Sequence, residues 1–355
     1  MKKIFFAAII ARLVVIFLSK DIINFDLFSY RKIGEITLQN INIYPHIAKI
    51  HHPYFPFYLY IEAFSIFLNK NIGINYVFFL KFINLIFDLG VIYLIYLLSN
   101  KNLKTTIFYS LNPISILIFF FHGQFDVIPL FFILLSIYFL KQKKEIFSLL
   151  SYSFAFLTKT WPILFFVPIF KKIRNKKKLL IIFFFPFIFI IIYSINFKNN
   201  FLDIIKTALT YRSIFNFWGL GKFIHLIFFE NQSQPPIYLQ KIFISLFLII
   251  FFIYSIKIYY KNLITYFFDL LLFFYIFTFG FAIQYFSWFV PFLFILKPKL
   301  WFLIYLITFF TVFFNYLSWI TKIIPSYINI LLIFLNWFSF IFFMIYWKKN
   351  SFKSK

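Results

Sequence analysis

Asp26 and Asp126 stand at the edges of long apolar runs, in a chain that has ten acidic residues against 35 lysines and arginines. Carboxylates that close to hydrocarbon are costly, so each is a candidate functional group. Asp26 opens the segment FDLFSYRKIGEITLQNINIYPHIAKIHHPYFPF, just after the first apolar stretch. A carboxylate there has the chemistry of a general base that takes a proton from an attacking hydroxyl, and equally that of an ordinary helix cap. His122-Gly123-Gln124-Phe125-Asp126 joins two apolar runs with no basic residue nearby. Gly123 permits a tight turn, so that His122 and Asp126 can face one cavity. The plain alternative is that Asp126 N-caps the helix that starts at about 127.

Lys159, in FLTKTWPILF, is a lone cation between two short apolar pieces. It is suited to hold a phosphate as a point charge, or to snorkel toward headgroups. Arg212, in LTYRSIFNFWGLGKF, can grip phosphate oxygens bidentately or meet lipid headgroups; Lys222 is a weaker candidate of the same kind. His46, His51 and His52 lack the spacing of a metal-ligand set. Gln284-Tyr285 and Trp288 follow Gly280 and by themselves read as an aromatic interface belt. Asn231-Gln232-Ser233 matches a glycosylation sequon. Asp88 and Arg12, inside apolar runs, suit interhelical hydrogen bonds.

The elements that must position these groups are membrane helices. Apolar residues make up 63% of the 355 positions, where ordinary globular chains hold about 45–50%. The fold class expected is all-α, a polytopic transmembrane bundle forming one domain over 1–355. About twelve spans are predicted near 4–19, 75–98, 105–121, 127–140, 146–158, 160–170, 179–197, 238–256, 263–280, 282–296, 300–320 and 326–347. Several fall short of the roughly 20 residues of a full crossing. Met1-Lys2-Lys3 before an apolar run mimics a signal peptide, but Arg12 interrupts that run and no small-residue cleavage site follows, so it reads as a retained first span. The absence of cysteine excludes disulfides and thiolate metal sites.

A net charge of +25 would suit nucleic acid, but the lysines fall in short clusters between spans, as cytoplasmic loops facing anionic lipid would carry them. Nucleic acid is therefore not an expected partner; membrane lipids are. Setting the basic loops, both termini included, on the cytoplasmic side requires that 56–69 not cross, and FPFYLYIEAFSIFL then reads as a helix packed at the outer face. The outer side receives a 20–74 loop with juxtamembrane helices, His122 to Asp126, the turn at Lys159, a 198–237 interfacial loop and the turn at Gln284. Nearly every chemically interesting residue thus lands on one side.

Asp26, Tyr30, Tyr44-Pro45 and Tyr54-Phe55-Pro56 are followed in order by Lys81, Phe87-Asp88-Leu89, Asn112-Pro113 and Gly123-Gln124-Phe125-Asp126. Lys159-Thr160-Trp161-Pro162 and Gln284-Tyr285-Phe286-Ser287-Trp288 complete the series. This order resembles the polytopic GT-C glycosyltransferases that use lipid-phosphate sugars, particularly the GPI mannosyltransferase I-like and related prokaryotic mannosyltransferases, over about residues 10–295. Many relatives carry a second acid near the first, where Leu27 and Phe28 stand here.

The resemblance implies transfer of a hexose, mannose by family likeness, from a polyprenyl- or dolichyl-phosphate donor to a lipid-linked or glycan acceptor. Transfer would occur on the non-cytoplasmic face, with inversion. It implies Asp26 as catalytic base, and Asp126 and His122 orienting acceptor or sugar. Tyr30, Tyr44, Gln124, Gln284 and Tyr285 join them in binding substrate, while Lys159 and Arg212 stabilise the phosphate leaving group. No cofactor is assigned; a divalent metal is possible but not favoured. The membrane would be a prokaryotic plasma membrane, or the endoplasmic reticulum in a eukaryote. A transporter or flippase of lipid-linked sugars is the rival class; it predicts paired half-repeats, and no repeat is visible.

Overall fold

The computed structural model describes residues 1–45, 47–209, 214–229 and 234–351. His46, Arg212 and the sequon Asn231-Gln232-Ser233 lie outside the described residues. Within them the fold is all-helical, with no strand. An isolated antiparallel bridge joins Ile214 to Phe281. The chain divides into two compact units, Met1–Tyr211 and Arg212–Lys355.

The first unit begins with α1 (Lys2–Ser19), α2 (Phe25–Leu38), the single turn α3 (Ala48–His51) and α4 (Tyr58–Ile72). Next come α5 (Tyr76–Leu98), α6 (Leu103–Ser110), the short α7 (Pro113–Ile116) and a π-helical segment, Leu117–His122. The helices α8 (Val127–Lys141) and α9 (Glu145–Thr158) follow, then α10 (Phe166–Lys172), α11 (Phe184–Asn196) and α12 (Phe201–Leu209). The second unit holds α13 (Gly219–Phe228), α14 (Ile237–Lys257), α15 (Leu263–Phe277), α16 (Phe286–Leu296), α17 (Trp301–Thr321) and α18 (Ser326–Ser351).

Among the described residues, six helical stretches are long and apolar enough to cross a membrane: Tyr76–Leu98, Leu103–His122, Lys176–Asn196, Ile237–Lys257, Trp301–Thr321 and Ser326–Asn350. Of the other spans among the roughly twelve expected, several are shorter apolar helices such as Val127–Lys141, Glu145–Thr158 and Leu263–Phe277, while the first, 4–19, is the 18-residue α1, which carries Lys2, Lys3 and Arg12 and is not among the six. All of the stretch 56–69 but its first two residues falls in α4, which is not among the six.

Asparagine supplies many of the starts. Side-chain oxygens of Asn24, Asn75, Asn102, Asn112 and Asn262 accept backbone N–H groups in the first turns of α2, α5, α6, α7 and α15, satisfying donors that the helix leaves unpaired. Gly73, at φ +75°, closes α4 in the left-handed conformation that glycine adopts freely.

Buried charge then ties helices together. Arg12 Nε and Asp88 Oδ2 lie 2.5 Å apart, both fully buried. Tyr109 donates its hydroxyl to Asp88 Oδ1 at 2.9 Å, and Arg12 Nη1 donates to the Ser110 carbonyl at 2.6 Å. Arg12 and Asp88 thus make the interhelical bonds expected of them and join α1, α5 and α6. A comparable lock in the second unit joins α14, α15 and α18, where Asp269 Oδ2 accepts from Lys348 and from Tyr254, each at 2.7 Å.

Candidate functional site

Asp26 is not the cap of its helix. Asn24 holds that position, accepting the Leu27 N–H at 2.8 Å, and Asp26 is left in the first turn of α2 with its carboxylate directed elsewhere. Its Oδ2 accepts from His122 Nε2 at 2.9 Å and from Gln124 Nε2 at 2.5 Å. For His122 to donate here, its proton must lie on Nε2. Asp26 Oδ1 makes no hydrogen bond among the described residues, and 36% of the side chain is exposed. Burial pushes the carboxyl's proton affinity up, but the hydrogen bond and charge of His122, the charge of Lys159 and the Gln124 bond together hold it below the ordinary carboxylate value.

The turn that delivers His122 and Gln124 is held by its carbonyls. The π-helical segment ends at Gly123, whose φ of +90° is a left-handed conformation suited to glycine. The end of a helix leaves carbonyls without partners, and here side chains from other elements take them. Asn84 of α5 donates to Phe119 O and Gln124 O, at 3.1 and 3.0 Å. Ser19 donates to Phe120 O at 3.1 Å, Lys81 to Phe121 O at 3.0 Å, and Asn24 to His122 O at 2.6 Å. The Lys81 ammonium is completed by Ser19 O and Oγ. Lys81 enters the sequence reading only as part of the family resemblance, and Asn84, Ser19 and Asn24 do not enter it. Asparagine one residue before an aromatic helix start was the only signal for Asn24; no signal in the sequence pointed to the others.

Lys159 and Asp126 meet because α8 and α9 are an antiparallel pair of nearly equal length, 15 and 14 residues. Asp126 precedes the start of α8 and Lys159 follows the end of α9, so each charge sits at the helix end that favours it. Asp126 makes no side-chain cap bond; its Oδ2 lies 2.6 Å from Lys159 Nζ in a buried pair. The Lys159 ammonium also lies 4.1 Å from the Phe125 ring centroid and 5.2 Å from that of Tyr54, within cation–π range. Gln124 Oε1 accepts from Lys159 Nζ at 3.4 Å and from the Tyr30 hydroxyl at 3.5 Å. The amide's orientation follows from its neighbours: NH₂ faces the carboxylate and oxygen faces the two donors.

Asp26, His122, Gln124, Lys159, Asp126 and Tyr30 therefore form one connected group. Tyr44 lies apart from it in an apolar cluster, its hydroxyl donating to Tyr54 O at 2.8 Å, which fixes the ring that faces Lys159. Gln284 and Tyr285 belong to the second unit, where both are buried and the Tyr285 ring stacks on Trp288 at 4.1 Å. The adjacent histidines diverge: His51 bonds Ser29, and His52 faces Glu62. No group of three or more metal-ligating side chains converges among the described residues.

His52 Nδ1 and Glu62 Oε2 lie 3.4 Å apart, fully buried, too far for a strong hydrogen bond. Both Glu62 oxygens and the nearby Tyr58 hydroxyl lack hydrogen-bond partners among the described residues. Burial raises the Glu62 carboxyl above its ordinary value, and His52 offsets only part of this. A carboxyl raised in the folded state contributes stability that is present below its unfolded pKa and lost as pH rises through its folded pKa. Glu62→Gln is therefore expected to melt above wild type at pH 8, by an amount equivalent to about 1–3 kcal/mol, with the gap narrowing toward pH 4. Thermal unfolding in detergent across that range checks it, and a gap that widens on acidification refutes it.

A scan against known protein-family models and a search of curated proteins both return no match for this chain.

Proposed function

We propose that the chain is a membrane glycosyltransferase of GT-C type. It moves a hexose, mannose by motif likeness, from a polyprenyl- or dolichyl-phosphate carrier to a lipid-linked or glycan acceptor on the non-cytoplasmic face. The observation that carries this reading is the Asp26 carboxylate: one oxygen is fixed by His122 and Gln124, while the other makes no bond among the described residues, on a partly exposed side chain. That is the arrangement a base needs in order to meet an incoming hydroxyl. The order of motifs along the chain supports the same reading, as does the placing of this loop opposite the basic clusters by the positive-inside rule.

In the reaction, the acceptor hydroxyl oxygen forms a bond to the anomeric carbon as the bond from that carbon to the phosphate oxygen breaks. The electron pair leaves with the lipid phosphate, and the hydroxyl proton passes to Asp26 Oδ1 and on to solvent. Displacement from the opposite side inverts the anomeric centre. A carboxylate held below its ordinary pKa is a weak base, which suits a proton lost late, once the new bond has made the hydroxyl acidic. Gln124 and His122 fix the carboxylate; Lys159 and Tyr30 hold Gln124, and Asp126 holds Lys159. Twelve crossings, with both termini cytoplasmic, would put this group on the far side of a prokaryotic plasma membrane or on the lumenal side of the endoplasmic reticulum.

The test supplies the purified chain in vesicles with polyprenyl- or dolichyl-phosphate mannose labelled in the sugar, together with a membrane lipid extract as acceptor source. Label is expected to move to a new lipid-linked or glycan product. Label that crosses the bilayer still attached to its original carrier would overturn the reading in favour of a flippase.

A further inference from the structure

One turn along α2 from Asp26, Ser29 Oγ lies 2.8 Å from His51 Nδ1, and Lys32 Nζ lies 3.4 Å from His51 Nε2. Burial, with the charge of Lys32 adding to it, holds the His51 imidazole below its ordinary pKa. A neutral ring has a single N–H; with it on Nδ1, facing Ser29, Nε2 accepts from the Lys32 ammonium. Lys32 is thereby fixed in place without being neutralised, since no carboxylate pairs with it among the described residues. Its helical neighbour Arg31 is paired with Glu35 at 2.9 Å. Lys159, the cation that the sequence offered for a phosphate, is buried against Asp126.

The surroundings of this cluster are apolar and open. The Phe25 ring stacks on His51, 5.7 Å between centroids, and the Phe28 ring meets it edge-on at 6.3 Å. Ile23, Phe25 and Phe28 are each more than half exposed. A fixed ammonium beside exposed apolar side chains matches a ligand with an anionic head and a hydrocarbon tail, because charge-assisted bonds serve one end and apolar burial the other. Lys32 stands six positions after Asp26 on the same helix, an axial rise of about 9 Å at 1.5 Å per residue.

We propose that Lys32, His51 and Ser29 form the docking point for the phosphate of a lipid monophosphate, with Phe25, Phe28 and Ile23 receiving the start of its hydrocarbon chain. The phosphate takes Lys32 as its counter-charge and the hydrocarbon lies over the two rings. This rests on the reading of the site as one that uses lipid-phosphate sugars, and it names where the carrier end of the donor sits.

The experiment measures equilibrium binding of a polyprenyl monophosphate to the full chain in zwitterionic nanodiscs, with uncharged polyprenol and inorganic phosphate as comparison probes. Lys32→Met is expected to weaken monophosphate binding about ten- to a hundredfold, the loss of one charge-assisted contact. Lys32→Arg is expected to stay within about threefold of wild type, since a guanidinium also suits phosphate. Polyprenol is expected to bind weakly and equally to wild type and Lys32→Met. His51→Asn, which keeps Lys32 but loses its fixed partner, is expected to weaken monophosphate binding several-fold. Monophosphate binding that is indifferent to both Lys32→Met and His51→Asn would overturn the proposal. So would inorganic phosphate that competes at the same concentration as the lipid, since the site would then take free phosphate. Lys32-dependent binding without sugar transfer sinks the enzymatic reading alone, whereas sugar transfer with Lys32-independent binding sinks this one alone.

Discussion

Asp26→Asn is expected to lower kcat and kcat/KM for sugar transfer together, by about 10²–10⁴-fold, while KM and the unfolding temperature stay close to wild type. The substitution keeps an oxygen for His122 and Gln124 to donate to, so the cluster can remain assembled while the proton acceptor is lost. Steady-state transfer assays with matched thermal unfolding curves check this, and undiminished turnover in the variant would remove Asp26 from the mechanism. The pH profile gives a second readout. A carboxyl held below its ordinary value is ionised throughout the neutral range, so wild-type kcat/KM should show no acid limb from Asp26 until below the usual carboxylate pKa of about 3.9.

Lys159→Met is expected to be the most destabilising single change within this group. It leaves the Asp126 carboxylate buried without its counter-ion, a loss of about 3–5 kcal/mol for one-sided removal of a buried pair. Much of that should return in Lys159→Met with Asp126→Asn, where no charge is left buried, and a double-mutant cycle of unfolding free energies measures the coupling. If the double variant is as unstable as the single, the pair is not what holds α8 to α9 at this end. Lys159 also lowers the proton affinity of Asp26, so its loss should move the acid limb of the transfer reaction upward in pH. Packing damage alone would not do that.

The expectation that Asp26, His122, Gln124, Asp126 and Lys159 share one neighbourhood rested on charge asymmetry between loops, and the hydrogen bonds join them. Their pairings were not legible. His122 and Asp126 each serve a different partner, Asp26 and Lys159, and Gln124 bridges those two. Lys159 meets Asp126 only because α8 and α9 come out nearly equal in length, which sequence boundaries uncertain by several residues do not determine. The faces of helices were equally hidden. With 65 phenylalanines in 355 residues, nearly every position in a span is apolar, and the 3.6-residue contrast that marks a buried stripe fades. The run near 105–121 falls within the membrane-length stretch Leu103–His122, but that stretch is not one regular helix: it is built of α6, a break at Asn112-Pro113, α7 and a π-helical end. That break places the carbonyls that Asn84, Lys81 and Ser19 hold.

The division at Tyr211 has a bearing on biogenesis. Every member of the connected group, from Asp26 to Lys159, is encoded before it. Translation delivers the chain from its amino terminus at about 5–20 residues per second, and compact units tend to form as they emerge. The carboxylate and its holders can therefore find one another while the carboxy-terminal half is still being made on the ribosome.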